Sequence, residues 1–205
     1  MEIYLVRHGE VELGSAQRLG DPPLADAGRA QARALGTRLA GTRFDVCYAS
    51  PLARAAETAR LVLAGRDVAI QTHACLAEGA YGELDGLSTA EAFRRFPEFY
   101  RLGRTVLARL AASGWTAPGG ETRGQFLARA RVAQALVSEP LFHESARALV
   151  VSHGGLLAYL VALLVGHEPR DEATIGFDFC GVARVTAYRE DPAFGPFAML
   201  HFGAD

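Results

Sequence analysis

Short apolar runs alternate with longer amphipathic stretches along the first third of the chain. Four consecutive apolar residues at 3–6 predict a short buried strand, and the run at 46–49 predicts a second. Between them, residues 25–40 carry alanine and leucine at helical spacing, with arginines on the opposite face. The pattern therefore predicts a strand, an amphipathic helix and another strand in succession.

The same alternation continues to the end of the sequence. Ser50 followed by Pro51 is typical of a helix start, with serine at the N-cap and proline at the first helical position. Strands that alternate with helices favour right-handed crossovers and a mainly parallel sheet, so an α/β fold is expected. The two last strands are expected to close or edge that sheet. Helices are predicted over 52–63, 122–137 and 156–165, and strands over 68–72, 148–151, 182–188 and 197–201.

A helical excursion is predicted around residues 88–113. Ser88 and Glu91 have the spacing of a capping box, which marks a helix start. Aromatic residues and arginines mix over 93–101, a composition that suits a segment packed on the domain through its rings. The alternative is a lid or specificity segment over a site. Neither repeats nor charged linkers interrupt the sequence, so one domain over 1–205 is expected.

Composition narrows the class of protein. Half of the 205 residues are hydrophobic, which is enough for a substantial core. Lysine and arginine number 21 against 23 acidic residues, so the overall charge does not favour binding to nucleic acid. Three widely spaced cysteines argue against a disulfide framework or a zinc site and fit a reducing compartment. We expect a cytoplasmic, soluble protein with neither nucleic acid nor membrane as a partner.

Residues with charged or nucleophilic side chains follow two of the predicted strands. Arg7 and His8 come directly after the first strand, and His153 comes directly after the strand at 148–151. The carboxyl ends of parallel strands meet at one edge of a sheet, where ligands bind in α/β proteins. An arginine beside an imidazole disfavours a metal cation and favours an anion, because its planar fork fits phosphate or carboxylate.

Two further features favour an anion at this edge. His153 precedes a predicted helix, whose N-terminal amides attract negative charge. Arg54 falls in the first turn of the helix after Ser50 and Pro51. Two arginines, two histidines and a helix N-terminus together predict a pocket for a dianion such as a phosphoryl group.

These motifs resemble the histidine phosphatase superfamily, which has the phosphoglycerate-mutase-like fold. The matches come in the order of the family and span positions 3 to about 160. A lone Arg-His-Gly is a weak signal, whereas several ordered blocks are a strong one. The matching blocks are Arg7-His8-Gly9-Glu10, Asp21…Pro23-Leu24…Gly28…Gln31-Ala32, Ser50-Pro51-Leu52-Ala53-Arg54-Ala55…Thr58-Ala59, Leu76-Ala77-Glu78…Gly82…Asp85-Gly86, Gly120-Glu121-Thr122 and Val151-Ser152-His153-Gly154-Gly155.

The resemblance implies a three-layer α/β/α fold and a role for each matched residue. His8 would be the nucleophile that becomes phosphohistidine. Arg7, Arg54 and His153 would surround the phosphate and stabilise its charge, with Gly154 at the helix start also binding substrate. Phosphoryl transfer depends mostly on positioning and charge stabilisation, so these residue types suit it.

Glu78 would be the general acid that protonates the leaving oxygen and then the base that activates water. Glu83 and Asp85 compete for this role, and the motif match favours Glu78. With two guanidinium groups on the phosphate, magnesium is not needed. The expected site therefore has no metal and no cofactor.

The leading hypothesis is a metal-independent phosphatase that hydrolyses a small phosphomonoester, a phosphorylated metabolite, through phosphohistidine on His8. The alternative within the superfamily is a cofactor-dependent phosphoglycerate mutase with the same phosphohistidine. A metal-dependent hydrolase built on His8, His153 and a carboxylate is a third hypothesis, and a silent phosphate-binding module is a fourth. The sequence leaves the substrate unnamed, and whether the protein is a homodimer stays open.

Overall fold

The computed structural model describes residues 1–12, 20–97, 116–138, 146–169, 175–191 and 195–202. The strands of this described part are β1 (Glu2–Arg7), β2 (Val46–Ala49), β3 (Ile70–Thr72), β4 (Arg147–Ser152), β5 (Val182–Asp191) and β6 (Gly195–Phe202). Its α-helices are α1 (Asp26–Arg38), α2 (Ala53–Val62), α3 (Thr89–Arg95), α4 (Arg123–Ser138) and α5 (Gly154–Leu164). Two single-turn 3₁₀ helices, Ala74–Leu76 and Gly82–Leu84, lie between β3 and α3.

The strands form one sheet in the order β3-β2-β4-β1-β5-β6. β3, β2, β4 and β1 run parallel, β5 is antiparallel to β1, and β6 is antiparallel to β5. The prediction of a mainly parallel sheet edged by two late strands is confirmed. β4 inserts between β1 and β2, so the carboxyl ends of β1 and β4 are neighbours, with Arg7 paired to Ser152.

Helices cover both faces of the sheet. The side chains of β1 alternate between them: Ile3 and Leu5 belong to a buried cluster with α4 and α5. Tyr4 and Val6 belong to a second cluster with α1 and α2. Because β1 is buried on both faces, its sequence is a continuous apolar run rather than an alternating one. The predicted three-layer α/β/α architecture is confirmed.

The start of α2 differs from the prediction. α2 begins at Ala53, and the N-cap position is Leu52 rather than Ser50. The amide of Ala53 instead donates a hydrogen bond to Oδ2 of Asp21, at 2.7 Å, so a distant carboxylate caps the helix. Arg54 does lie in the first turn, as expected, because the helix still starts just after the Ser-Pro pair.

The capping box at Ser88 is confirmed. The amide of Glu91 donates to the Ser88 hydroxyl at 3.1 Å, and the amide of Ser88 donates to the Glu91 carboxylate at 2.8 Å. α3 therefore starts where the sequence indicates. The rest of the predicted excursion over 88–113 lies outside the described residues beyond position 97.

Two expectations from composition can be compared with the described residues. Cys47, Cys75 and Cys180 are all free thiols, in line with the expected lack of a disulfide framework. Among the helices of the described ranges, none combines the length and apolar character needed to cross a membrane.

Candidate active site

Two imidazoles emerge side by side at the carboxyl edge of the sheet. His8 follows β1, His153 follows β4, and their ring centroids are 5.1 Å apart. His8 is 6% exposed and His153 is fully buried. The pairing of β1 with β4 therefore brings both predicted histidines into one place.

His8 is held in a defined tautomer. Its Nδ1 atom lies 2.7 Å from the carbonyl oxygen of Gly9, so Nδ1 carries the proton and donates it there. Burial lowers the pKa of His8 to about 4; the Gly9 carbonyl opposes this shift, and the charges of Arg54 and Arg7 add to it. The ring is consequently neutral near pH 7, with a lone pair on Nε2.

A close backbone approach explains the glycine after His8. A Cβ atom on Gly9 would lie only 2.5 Å from the carbonyl oxygen of Gly28, in the first turn of α1. The amide of Gly9 also donates to the Thr58 hydroxyl on α2, at 3.1 Å. The turn that carries His8 is thus fixed against both helices on one face of the sheet.

Arg54 contacts the unprotonated nitrogen of His8. Its Nε donates to Nε2 of His8 at 3.3 Å, and its Nη1 donates to the Gly20 carbonyl and to Oδ1 of Asp21, both at 2.8 Å. The Arg54 side chain is almost fully buried, so its charge is compensated by the Asp21 carboxylate. Asp21 thus both caps α2 and orients Arg54.

Arg7 lies at the N-terminus of α5. Its Nη1 donates to the Phe177 carbonyl at 2.6 Å, and its guanidinium carbon lies 4.1 Å above the ring of Phe179. A Cβ on Gly154 would approach Arg7 Nε to 3.6 Å, so the start of α5 and this cation are neighbours. Burial lowers the pKa of Arg7, but a guanidinium remains charged in proteins.

His153 is bound by a hydroxyl from the neighbouring strand end. Its Nε2 lies 2.8 Å from Oγ of Ser50. Burial, with the charge of Arg54 next, lowers the pKa of His153 well below its ordinary value, so the ring is neutral near pH 7. Within the described ranges, His153 Nδ1 and Arg7 Nε are buried without a hydrogen-bond partner. Such atoms destabilise a fold unless a ligand supplies an acceptor.

Glu78 reaches the same helix N-terminus from the loop after the first 3₁₀ helix. Its Oε2 accepts a hydrogen bond from the amide of Gly155 at 3.4 Å, and its Oε1 accepts from the amide of Gly79 at 3.2 Å. Burial raises the pKa of Glu78, although both amides and the nearby arginines oppose the shift. A carboxyl group with a raised pKa keeps its proton to a higher pH than an ordinary glutamate and can donate it.

The two rival carboxylates are more exposed than Glu78. Glu83 forms an exposed ion pair with Arg95 at 3.0 Å, and the Asp85 side chain is exposed. Of the three carboxylates that compete in the sequence, Glu78 is therefore the one in contact with the helix start that also faces Arg7.

Several site residues were not found by sequence reasoning. The Ser-Pro pair predicts a helix cap at Ser50, whereas the Ser50 hydroxyl binds His153. Asp21 belongs to one of the matched blocks, but its partner Arg54 lies 33 positions later, so the block does not indicate their contact. Arg129 on α4, whose guanidinium binds the loop of Glu78, was missed altogether. Glu121 precedes the helix that carries Arg129, so no helical spacing indicates that the two side chains pair.

The arrangement suits binding and transfer of a phosphoryl group. Two guanidiniums and a helix N-terminus supply positive charge, a neutral imidazole supplies a nucleophilic lone pair, and a carboxyl group supplies a proton. Among the described residues, no three His, Cys, Asp or Glu side chains are grouped in a way that could hold a metal ion.

The fold and this site define a member of the histidine phosphatase class. The chain belongs to the histidine phosphatase superfamily (branch 1), whose family model matches residues 3–196. That match covers both strand-end histidines, both arginines and Glu78, and it confirms the family resemblance of the motifs.

Known relatives include both mutases and phosphatases. A 2,3-bisphosphoglycerate-dependent phosphoglycerate mutase of Methylobacterium sp. (strain 4-46) is 33% identical, in an alignment that covers 80% of each chain. The alpha-ribazole phosphatase from Shigella flexneri superposes with a TM-score of 0.82 at 26% identity, over 100% of this chain and 96% of that one. A mycobacterial glucosyl-3-phosphoglycerate phosphatase superposes with a TM-score of 0.75 at 25% identity, over 98% and 97%.

Proposed function

We propose that this protein is a phosphatase that hydrolyses a small phosphorylated metabolite through a phosphohistidine on His8. The observation that carries the proposal is the state of the His8 ring. Its Nδ1 proton is committed to the Gly9 carbonyl, and its Nε2 lone pair lies beside the Arg54 guanidinium. A neutral imidazole next to a fixed cation is what attack on a phosphoryl group requires.

In the first step, Nε2 of His8 attacks the phosphorus atom of the bound ester. The N–P bond forms as the P–O bond to the leaving group breaks, and Glu78 gives its proton to the departing oxygen. The raised pKa of Glu78 supports this role, because it keeps the carboxyl group protonated over a wider pH range. The products of this step are an alcohol, phosphohistidine and the Glu78 carboxylate.

Arg54 changes partner during that step. In the structure, Arg54 Nε donates to the His8 lone pair. A bound phosphoryl group offers charged oxygens, which are stronger acceptors for a guanidinium than a neutral imidazole. When Arg54 donates to the phosphoryl oxygens, the His8 lone pair becomes free to attack. Asp21 keeps the guanidinium in place while this happens.

His153 supplies a further donor to the phosphoryl group. The Ser50 hydroxyl accepts a hydrogen bond from the Leu52 amide at 3.2 Å and can donate its own proton to Nε2 of His153. The His153 proton then resides on Nδ1, the buried atom without a partner in the described ranges. Together with Arg7 Nε, this N–H is suited to the charge that develops on the transferred group.

In the second step, the Glu78 carboxylate accepts a proton from water and the water oxygen attacks phosphorus. The N–P bond breaks, inorganic phosphate leaves, and both Glu78 and His8 return to their starting states. The sum of the two steps is the hydrolysis of a phosphomonoester to an alcohol and phosphate. This chemistry needs no metal and no organic cofactor.

Phosphoglycerate mutase activity is the second candidate, favoured by the relative that is 33% identical to this chain. Phosphatase structures that superpose over 98% or more of the chain support hydrolysis as the leading candidate. The test measures phosphate release from a panel of phosphomonoesters and 2-/3-phosphoglycerate interconversion with bisphosphoglycerate priming. Phosphate release that exceeds interconversion and disappears in His8→Asn is expected. Primed interconversion without comparable phosphate release would assign the protein to the mutases.

A further inference from the structure

Arg129, on the second turn of α4, binds the backbone of the loop that carries Glu78. Its Nη1 donates to the carbonyl oxygens of Cys75 and Ala77, at 3.0 and 2.6 Å, and its Nη2 donates to the carbonyl of Glu78 at 3.3 Å. We define residues 75–80 as the acid loop. One guanidinium thus fixes three carbonyl groups of this loop, including that of Glu78 itself.

The same guanidinium is held from its other side by Glu121. Arg129 Nε donates to Oε1 of Glu121 at 2.8 Å, and Nη2 donates to Oε2 at 2.6 Å. The two side chains are only 19% and 14% exposed. All five N–H donors of Arg129 are therefore engaged. A lysine has three donors on one nitrogen and could not make the same set of hydrogen bonds.

The acid loop has further supports on either side of Glu78. The buried Ser152 hydroxyl donates to the Leu76 carbonyl at 2.7 Å, and the Glu121 amide donates to the Ala80 carbonyl at 2.8 Å. Within the part of the chain that the structure describes, the Glu78 carboxyl group accepts two hydrogen bonds, both from backbone amides, at 3.2 and 3.4 Å. Its position therefore depends mainly on where the loop backbone is held.

We propose that Arg129, oriented by Glu121, is a positioning residue that sets where the Glu78 carboxyl group meets the leaving-group oxygen. The inference rests on the proposed function, since it gives Glu78 the role of general acid. Arg129 does not touch the substrate in this account. It acts through the acid loop, and a displacement of about 1 Å at a reacting group can reduce a rate by about 10²-fold.

The test compares two phosphate esters whose leaving groups differ in how much they need a proton from the general acid. A nitrophenyl phosphate has a leaving group that departs as a stable anion, so it hardly needs a proton. An alkyl phosphate needs the proton from Glu78. We compare kcat/KM, which reports the reaction up to the first irreversible step, for wild type, Arg129→Lys and Arg131→Lys. Arg131 is the matched control, because it lies on the same helix in an exposed ion pair with Glu168.

Arg129→Lys is expected to lower kcat/KM for the alkyl ester by about 10²-fold and to leave the nitrophenyl ester within a few fold. Arg131→Lys should change neither ester. Equal losses on both esters in Arg129→Lys would mean that Arg129 only supports the fold, and no loss would also overturn the inference. Glu121→Gln, which keeps the side-chain shape but not the charge, should show the same ester-dependent loss to a smaller extent. If Arg129→Lys does not fold, Glu121→Gln decides the question by the same criterion.

Glu78→Gln, measured alongside, separates the inference from the proposed function. It should lose activity on the alkyl ester far more than on the nitrophenyl ester. If it does so while Arg129→Lys and Glu121→Gln do not, only the positioning role of Arg129 is wrong. If Glu78→Gln itself treats both esters alike, the acid role assigned to Glu78 in the proposed function is wrong.

Discussion

The Nε atom of Arg54 donates a hydrogen bond to the Nε2 atom of His8 across 3.3 Å. This contact joins the first turn of α2 to the end of β1 and places a cation on the nitrogen that carries the lone pair. Because the His8 proton is held on Nδ1 by Gly9, the orientation of the ring is set before any phosphate arrives. In the proposed mechanism the nucleophile and its charge partner are preorganised together.

The Asp21–Arg54 ion pair is expected to control that geometry. Asp21→Asn keeps an acceptor for the Ala53 amide but removes the charge that holds Arg54 Nη1. We expect kcat/KM to fall by up to about 10²-fold. The free energy of unfolding should also fall, because the buried Arg54 guanidinium loses the carboxylate that compensates its charge. Asp26→Asn is the control, because its carboxylate is exposed and pairs with Arg29 on the surface. Unchanged kcat/KM in Asp21→Asn would contradict the orienting role.

The pH profile of kcat/KM should have two limbs with different origins. His8 attacks only as the neutral ring, so activity is expected to fall as the pH drops through its pKa of about 4. Glu78 must be protonated to donate, so activity should fall as the pH rises through its raised pKa. Glu78→Gln should lose the alkaline limb and about 10²–10⁴-fold in rate on an alkyl phosphate. An alkaline limb that persists in this variant would remove Glu78 from the acid role.

Stability should depend on pH through His8. Burial lowers its pKa from the ordinary 6.5 to about 4 in the folded protein. Between these pH values the unfolded chain binds more protons, so the free energy of unfolding falls as the pH falls from 6.5 towards 4. The contribution of His8 to this loss is about 3 kcal/mol. Burial also lowers the pKa of His153, so His153 likewise makes the free energy of unfolding fall as the pH falls.

Denaturant unfolding of wild type and His8→Asn, at about pH 7 and about pH 4, measures this contribution. Wild type is expected to lose about 3 kcal/mol more than His8→Asn between the two pH values. A pH dependence that is the same in both proteins would mean that the His8 ring is not neutral in the folded state.

Chelation distinguishes the proposed mechanism from a metal-dependent hydrolase built on the two histidines. The charge of the phosphoryl group is balanced in our account by Arg7 and Arg54, so dialysis against a strong chelator should leave kcat/KM unchanged. The assay is repeated after adding back divalent cations. Activity that is lost on chelation and restored by a particular cation would favour the metal-dependent alternative.

The sequence predicted the architecture well where burial dictates the residue pattern. β1 and β4 are buried on both faces, so each is a continuous apolar run that ends at a chemistry-bearing residue. Their adjacency could be expected only as a hypothesis, since nothing in either strand indicates which neighbour it pairs with. In the structure, β4 lies between β1 and β2, so the ends of β1 and β4 are neighbours and form the observed site.

The contacts that support the site could not be predicted in the same way. Ser50 looks like a helix cap from its neighbours, yet its hydroxyl meets His153, 103 positions later. Arg129 binds carbonyl oxygens of the acid loop. Every residue has a backbone carbonyl, so the residue types do not indicate which carbonyls a distant side chain binds. Local pattern therefore identifies the groups that would react, whereas the groups that hold them depend on tertiary contacts.

Direct trapping of the phosphorylated protein tests the central claim, that His8 carries the phosphoryl group during turnover. Wild type and His8→Asn are mixed with a labelled phosphomonoester, quenched within one turnover in base, and digested for mapping of the label. The account requires a base-stable, acid-labile phosphoryl group on His8 in wild type, formed at least as fast as turnover, and none in His8→Asn. Turnover in wild type without such an intermediate, or with the label on another residue, would contradict it.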